Sequence, residues 1–196
     1  MFGLPIPDHV PPTIASLVIY DRNKSTYDQR PQTVALVKNG SSYGPVTKLI
    51  TTSFDKVSFG ISAFDQLSGS PNHNGIFEAV LYDNEMAVTG FRLDDFSYDE
   101  TRYVNANIDY KTKMNGGPYI QHLSRLPGNP EGIYKDFSGD GVINLNDDQL
   151  HHMKVIVRDA NKNASTDIPI PNIVPAPGKC NILNMAPIIT TEAPKL

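Results

Sequence analysis

Apolar and polar residues alternate with a period of two along most of this chain. In the run KVSFGISAF, Val57, Phe59 and Ile61 fall on one side of an extended strand, and small residues fall on the other. Similar runs occur at 13–20, 32–38, 75–83, 85–93 and 152–159. Turn residues such as those of KNGSS and DANKN separate several of them, at spacings typical of sandwiches. The pattern therefore predicts an all-β domain built as a β-sandwich.

One pair of neighbouring strands is predicted with a specific turn. The run VLYDNEMAV joins two strand-like segments at Asp83-Asn84. Both residue types tolerate the left-handed backbone conformation that a two-residue turn requires. We therefore expect a β-hairpin at this point.

The segment 95–117 departs from the alternating pattern. Asp94, Asp95 and Ser97 can cap the start of a helix, and two glycines at 116 and 117 can end one. No periodicity is strong enough to choose between a helix and an irregular connection. We expect a short helix or a long excursion here.

Proline clusters at both ends of the chain and suggests where the folded domain lies. Because proline removes a backbone donor and fixes φ, proline-rich segments favour extended structure over sheet interior. We expect an extended leader at 1–12, a sandwich domain at 13–170 and a proline-rich tail at 171–196. A length of 196 residues suits one domain with extensions.

Composition excludes several classes of partner. The net charge is −4 and basic residues form no cluster, which gives little electrostatic reason to bind nucleic acid or an anionic membrane. No apolar run is long enough to span a membrane, and the first residues do not read as a signal peptide. Cys180 is the single cysteine, so no intrachain disulfide can form.

The histidines do not form a catalytic or zinc-binding motif in the sequence. They are dispersed along the chain, and no HxH, HxxxD or HExxH spacing occurs. His151 and His152 are adjacent in a predicted strand, so their side chains point to opposite faces. We expect no catalytic site within this chain.

The stretch DFSGDGVINLND has the order of a calcium loop. Such a loop needs oxygen ligands at positions 1, 3, 5, 7 and 12, with glycine at position 6 and an apolar residue at position 8. Gly141 occupies position 6 and Ile143 occupies position 8. The candidate ligands are Asp136, Ser138, Asp140, the carbonyl of Val142, Asn144 acting through water, and Asp147.

The surroundings of this stretch favour a different interpretation. Prolines and glycines precede it and an alternating strand follows it, whereas an EF-hand has a helix on each side. A turn at Asp140-Gly141, followed by a short strand and then the strand from His151, would form a hairpin. The context favours the hairpin, and a bound calcium ion that stabilises the turn remains an open alternative.

A candidate binding surface lies in and after the excursion. Tyr98, Tyr103 and Tyr119 could stack against sugar rings, and the acidic run with Asp94 and Asp95 could bind a cation or a basic partner. Core packing of the tyrosines, together with helix capping and arginine pairing of the carboxylates, is the alternative that we favour.

Several stretches carry a family resemblance. They are FGLPIPDHVPPTIASLVIY, VSFGISAFDQLSGSPNHNGIFEAVLYDNE, FSYDETRYVNANIDY, RLPGNPEGIY and GDGVINLNDDQLHHMKVIVRDANKNAS. Together they resemble the accessory domain that follows the catalytic domain in exported M23-type (LytM-like) metallopeptidases of Gram-negative bacteria. The last stretch also looks like the end of many immunoglobulin-like modules, where an Asp-x-x-x-Asn turn joins the final strands. The resemblance implies an immunoglobulin-like β-sandwich and covers about residues 2–170.

The resemblance also implies a function for the parent protein. It implies a zinc endopeptidase that acts on peptidoglycan cross-bridges in the cell envelope, periplasmic or secreted, with this chain as a non-catalytic C-terminal portion. The zinc-ligand motifs of that family, HxxxD and HxH, are absent here. The resemblance therefore implies that zinc is bound by a catalytic domain outside this chain, which is the expected partner in cis. One alternative is a module that binds peptidoglycan glycan or an envelope protein, and another is peptidase activity in the fragment itself.

Overall fold

The computed structural model describes residues 7–40, 42–46, 50–130, 132–134, 136–137, 139–146 and 151–175, without the side chains of 51 and 166–175. The strands are β1 Thr13–Asp21, β2 Gln32–Asn39, β3 Ser42–Pro45, β4 Ile50–Thr52, β5 Lys56–Phe64, β6 Glu78–Asp83, β7 Met86–Arg92, β8 Gln121–His122, β9 Ile143–Asn144, β10 His151–Arg158 and β11 Ala164–Pro175. The helices are α1 Thr101–Val104 and α2 Tyr110–Met114, and single 3-10 turns lie at Thr26–Asp28, Tyr98–Glu100, Asn105–Asn107 and Gly132–Tyr134.

The strands form two mainly antiparallel sheets. One sheet has the order β2-β1-β5, with β8 and β9 both paired to β5. The other has the order β7-β6-β10-β11. Strand β3 pairs with β2 and also, in parallel, with β11, and β4 pairs in parallel with β11. The prediction is therefore confirmed as far as a mostly β, sandwich-like domain.

The main hydrophobic core lies between the two sheets. Val57, Phe59 and Ile61 of β5 are fully buried there, on the face that the alternation predicted. From the opposite sheet, Val155 and Val157 of β10 belong to the same cluster. Removing a side chain of this size from water contributes about 1.5–3 kcal/mol, so each of these buried residues stabilises the fold considerably.

The outer face of the first sheet is also covered. Val18 and Tyr20, which alternate with core residues of β1, form a second buried cluster with Ile120. A Cβ atom on Gly60 would lie 2.8 Å from the Ile120 side chain and 3.0 Å from that of Val18. Glycine at this position therefore allows the segment after α2 to pack directly against the sheet.

The expected hairpin is present between β6 and β7. Asp83 pairs with Met86, so the turn residues are Asn84 and Glu85, one position later than the sequence indicated. Their φ angles are +47° and +66°. Two consecutive left-handed residues match the twist of the strands that they join.

The segment near 95–117 contains both predicted features, since it is a long excursion with short helical turns. Its start is stabilised by Glu100, whose carboxylate accepts a hydrogen bond from the Ser97 backbone at 2.7 Å. Asp109 accepts from the Thr112 backbone at the start of α2, and Gly116, with φ of +78°, follows its end.

Three strands were not expected at their observed places. Strand β3 begins at Ser42, within the segment predicted as a turn, and β4 lies where no strand was predicted. Strand β11 continues to Pro175, beyond residue 170. At the other end, Asp8 and Pro12 of the leader are buried against the sandwich. Within the described part of the chain, no helix has the length and apolar character needed to cross a bilayer.

Candidate functional site

The predicted calcium loop is only partly described, since Ser138 and Asp147 lie outside the described residues. The carboxylate of Asp136 forms a salt bridge of 2.7 Å with the Arg92 guanidinium, which also binds the buried Glu78. Asp136 is therefore already paired with a cation from the protein itself. Coordination of a metal by this carboxylate would compete with that ion pair.

The remaining described side chains of the loop support local turns. Asp140 Oδ1 accepts a hydrogen bond from the Val142 backbone at 3.0 Å, and Asn144 Oδ1 accepts one from the backbone two residues later at 3.1 Å. Gly141 has φ of +80°, and a Cβ there would lie 2.6 Å from the Leu123 carbonyl oxygen. Glycine is thus required by backbone and space, with or without a metal.

The short strand after this turn has an unexpected partner. Ile143 and Asn144 pair with Val57 and Lys56 at the edge of β5. Pairing of β9 with β10, which a hairpin would require, is absent from the strand pairs of the described residues. Strand β9 therefore belongs to the first sheet, and the calcium interpretation of the loop stays a prediction.

The tyrosines of the candidate binding surface have different surroundings. Tyr98 is 93 % exposed and Tyr119 is 40 % exposed. Tyr103 is half-buried and lines a cleft of about 550 Å³ together with Tyr27 and Arg22. Of the three predicted tyrosines, only Tyr103 is among the described residues that line this cleft.

The acidic part of that surface is exposed. Asp94 Oδ2 lies 3.8 Å from the Arg92 guanidinium, consistent with the arginine pairing that we favoured, and Asp94 Oδ1 accepts a hydrogen bond from the Asp95 backbone at 2.8 Å. Both side chains are on the solvent side of the loop that starts the excursion. Their charge contributes to the surface potential near Arg92, where exposed ion pairs are worth little.

A buried polar network holds the excursion against the first sheet. The Tyr20 hydroxyl donates to Asp109 Oδ2 at 2.6 Å, and Asn107 Nδ2 donates to the His122 carbonyl at 3.0 Å. The Tyr20 and His122 rings are 5.0 Å apart. Burial lowers the pKa of His122 to about 4, against the opposing effect of Asp109 and with a smaller contribution from Arg22. The imidazole is therefore neutral at pH 7.

The two adjacent histidines of β10 have the geometry that the sequence predicts. His151 is buried, with Nδ1 2.8 Å from an Asp83 carboxylate oxygen, whereas His152 is exposed. Their side chains therefore lie on opposite faces of β10, as the alternation requires. The two rings do not face a common site.

Three carboxylates converge at a place that the sequence interpretation missed. Asp8 comes from the leader, Asp65 directly follows β5, and Asp159 directly follows β10. Each offers a carboxylate oxygen, and these oxygens all lie within 4.8 Å of one another. The three residues are only 5 %, 6 % and 2 % exposed, respectively.

Hydrogen bonds fix the orientation of two of these carboxylates. Asp8 Oδ1 accepts from the Ser68 backbone and hydroxyl, each at 2.9 Å, and from the Val10 backbone at 3.2 Å. Asp159 Oδ1 accepts from the Asn163 backbone at 2.7 Å, and Asp159 Oδ2 accepts from the Asn163 amide at 2.8 Å. Asn163 also donates to the Asp8 carbonyl at 3.0 Å, which ties the leader to the turn between β10 and β11.

The charges of the cluster affect its members differently. Burial raises the pKa of Asp65, the negative charges of Asp159 and Asp8 raise it further, and the Gln66 backbone opposes them. For Asp8, burial also raises the pKa, but hydrogen bonds from Val10 and Ser68, together with the Asn161 side chain, bring it below its ordinary value. Asp65 is thus the carboxyl on which the mutual repulsion acts most clearly.

One sequence signal could have indicated this cluster. The turn DANKN was interpreted only as a connection between strands, yet Asp159, Asn161 and Asn163 carry oxygen at alternate positions, as the first half of a calcium loop does. The other two carboxylates are far away in the sequence. Their convergence follows from the pairing of strands and could not be inferred from spacing.

Comparisons with known proteins give no assignment for this arrangement. No family model, no curated protein and no solved structure matches the chain. The functional interpretation therefore depends on the residues themselves and on the resemblance described above.

Proposed function

We propose that this chain is a non-catalytic, immunoglobulin-like domain that accompanies an M23-type zinc endopeptidase in the cell envelope. It positions or supports the catalytic domain, which precedes it in the same polypeptide and cleaves peptidoglycan cross-bridges. The stretches that resemble such accessory domains support the family and the substrate. The two-sheet, mainly antiparallel fold agrees with an immunoglobulin-like module.

Anchoring of the leader is the observation that carries a positioning role. Asp8 is bonded to Ser68 and Asn163, and the carbonyl of Pro12 accepts a hydrogen bond from the Ser165 hydroxyl. Pro12 itself is buried. The described part of the leader is therefore held on the sandwich at Asp8 and Pro12. In our proposal this anchored segment restricts the orientation of a preceding domain.

The experiment uses the full-length protein encoded by the reading frame that contains this chain, and it compares cleavage of two substrates. That reading frame should encode HxxxD and HxH motifs before residue 1. Deleting the present domain should reduce cleavage of insoluble peptidoglycan sacculi while leaving cleavage of a soluble cross-bridge peptide nearly unchanged, because only the solid substrate requires a fixed orientation. Absence of the zinc motifs, or equal activity on sacculi with and without the domain, would contradict the proposal.

A second candidate function is glycan binding, and the cleft lined by Tyr27 and Tyr103 favours it. Aromatic faces and nearby cations suit a sugar chain with charged peptide stems. Retention of this chain on purified peptidoglycan would support binding, provided that Tyr103→Ala reduces it and Tyr98→Ala does not. Tyr98 is the matched control because it is exposed and lies outside the lining of the cleft. No retention would count against this function.

Peptidase activity of the fragment itself is the remaining alternative. It requires this chain alone to cleave a cross-bridge peptide when zinc is supplied. We expect no cleavage, because the zinc-ligand motifs of the family are absent from the sequence. Cleavage that a chelator abolishes would establish the activity.

A further inference from the structure

The Asp8, Asp65 and Asp159 cluster places like charges together in a site that excludes water. Among the described residues, no lysine, arginine or histidine nitrogen forms a salt bridge with any of the three. Burying carboxylates without a counter-charge is unfavourable, since both desolvation and mutual repulsion oppose it. Such a cluster is expected where a bound cation supplies the missing positive charge.

Unsatisfied oxygens give a second, independent indication of a ligand. Asp8 Oδ2 and Asp65 Oδ1 are buried and have no hydrogen-bond partner. Buried polar atoms are nearly always satisfied in folded proteins, so an orphaned pair in one site indicates a missing partner. The donors on Asp8 Oδ1 hold that carboxylate in place and leave its other oxygen for the ligand.

The chemistry of the ligand atoms selects the ion. The donor set consists of carboxylate oxygens from three aspartates. Hard oxygen ligands suit calcium and magnesium, whereas zinc prefers histidine and cysteine. Magnesium usually retains several waters and uses one or two carboxylates, while calcium accepts more carboxylates in an irregular shell. Three buried carboxylates therefore favour calcium.

We propose that Asp8, Asp65 and Asp159 form a calcium site and that the ion locks the leader onto the sandwich. Each carboxylate comes from a different segment, so one ion cross-links the leader, the end of β5 and the turn after β10. Asn163 holds two of these segments together through hydrogen bonds and serves as the scaffold of the site. The inference concerns this chain alone and does not depend on the proposed peptidase partner.

Calcium titration of the chelator-treated chain tests the proposal. Calorimetry should show one equivalent of calcium bound per chain at this site, with magnesium at equal concentration competing weakly. The melting temperature should rise with calcium and fall again when chelator is added. Hydrogen exchange of the Ser68 and Val10 amides, which bond to Asp8, should slow in calcium.

Asp65→Asn gives a signature that a purely structural carboxylate would not produce. In chelator this variant should melt no lower than the native chain, because it removes repulsion and keeps the shape of the side chain. In calcium the variant should melt at a lower temperature than the native chain, because it no longer binds the ion. Asp28→Asn, at an exposed position, is the matched control and should respond to calcium as the native chain does.

Two results would overturn the proposal. One is no binding of calcium at millimolar concentration, with unchanged melting. The other is binding that persists in Asp65→Asn and Asp159→Asn but is lost in Asp136→Ala combined with Asp140→Ala, which would assign the ion to the loop at 136–147 instead.

Discussion

Mild acidification should destabilise the chain through His122. This residue is 1 % exposed and, because of burial, its folded-state pKa is about 4. In the unfolded chain the imidazole titrates near its ordinary value of 6.5. Between these two pKa values the unfolded state binds a proton and the folded state does not. The contribution of His122 to the free energy of unfolding is therefore fully present above pH 6.5 and is lost as the pH falls toward 4.

The magnitude follows from the difference between the two pKa values. A shift of this size corresponds to about 3 kcal/mol in total, since one pKa unit is about 1.4 kcal/mol. Between about pH 7 and pH 5 the expected loss is roughly 2 kcal/mol, because most of the uptake by the unfolded chain occurs there. This is a considerable part of the stability of an ordinary domain.

Urea unfolding at a series of pH values measures this contribution. The free energy of unfolding of the native chain should fall over this window, and that of His122→Gln should fall by roughly 2 kcal/mol less. His152→Gln is the matched control, since His152 is exposed, and it should retain the native slope. Comparison of slopes is informative even if His122→Gln is less stable at every pH.

Equal slopes for the native chain and His122→Gln would refute the reasoning. That outcome would mean that the imidazole takes up its proton at similar pH in both states. A charged histidine would then lie beside the buried network of Tyr20 and Asp109, although that network is shielded from solvent.

Two further predictions concern backbone space and the loop. Gly90→Ala should lower the free energy of unfolding by about 1–3 kcal/mol, because the new Cβ would lie 2.6 Å from the Ala79 carbonyl oxygen; Gly75→Ala, with open space around it, should change stability by less than about 0.5 kcal/mol in the same urea assay. The Asp136→Ala and Asp140→Ala double variant should bind as many calcium ions as the native chain in calorimetry, since these side chains pair with Arg92 and cap a turn. Loss of one equivalent would restore the loop as a metal site.

The sheet core could be predicted because its signal is local. Each residue of β5 and β10 shows its face by alternation with its immediate neighbours, and the hairpin at Asn84 is indicated by residue types that accept a left-handed backbone. Strand β3 was missed because its four residues, within a segment that indicates a turn, offer too little alternation.

The carboxylate cluster could not be predicted for the opposite reason. Asp8, Asp65 and Asp159 are brought together only when β1 pairs with β5 and the turn after β10 folds over the leader. Nothing near Asp8 or Asp65 in the sequence distinguishes them from surface carboxylates. The loop at 136–147 was more conspicuous because its oxygen-bearing residues are closely spaced in the sequence, a property that turns share with metal loops.

The close approach at Gly60 has a consequence for how the molecule unfolds. Strand β5 buries one face in the core and the other beneath Ile120, so the excursion cannot detach without exposing Val18 and Tyr20 to water. The excursion and the two sheets should therefore lose their structure in a single cooperative transition. Although it has short helices and looks like an insertion in the sequence, the excursion is a constituent of the folding unit.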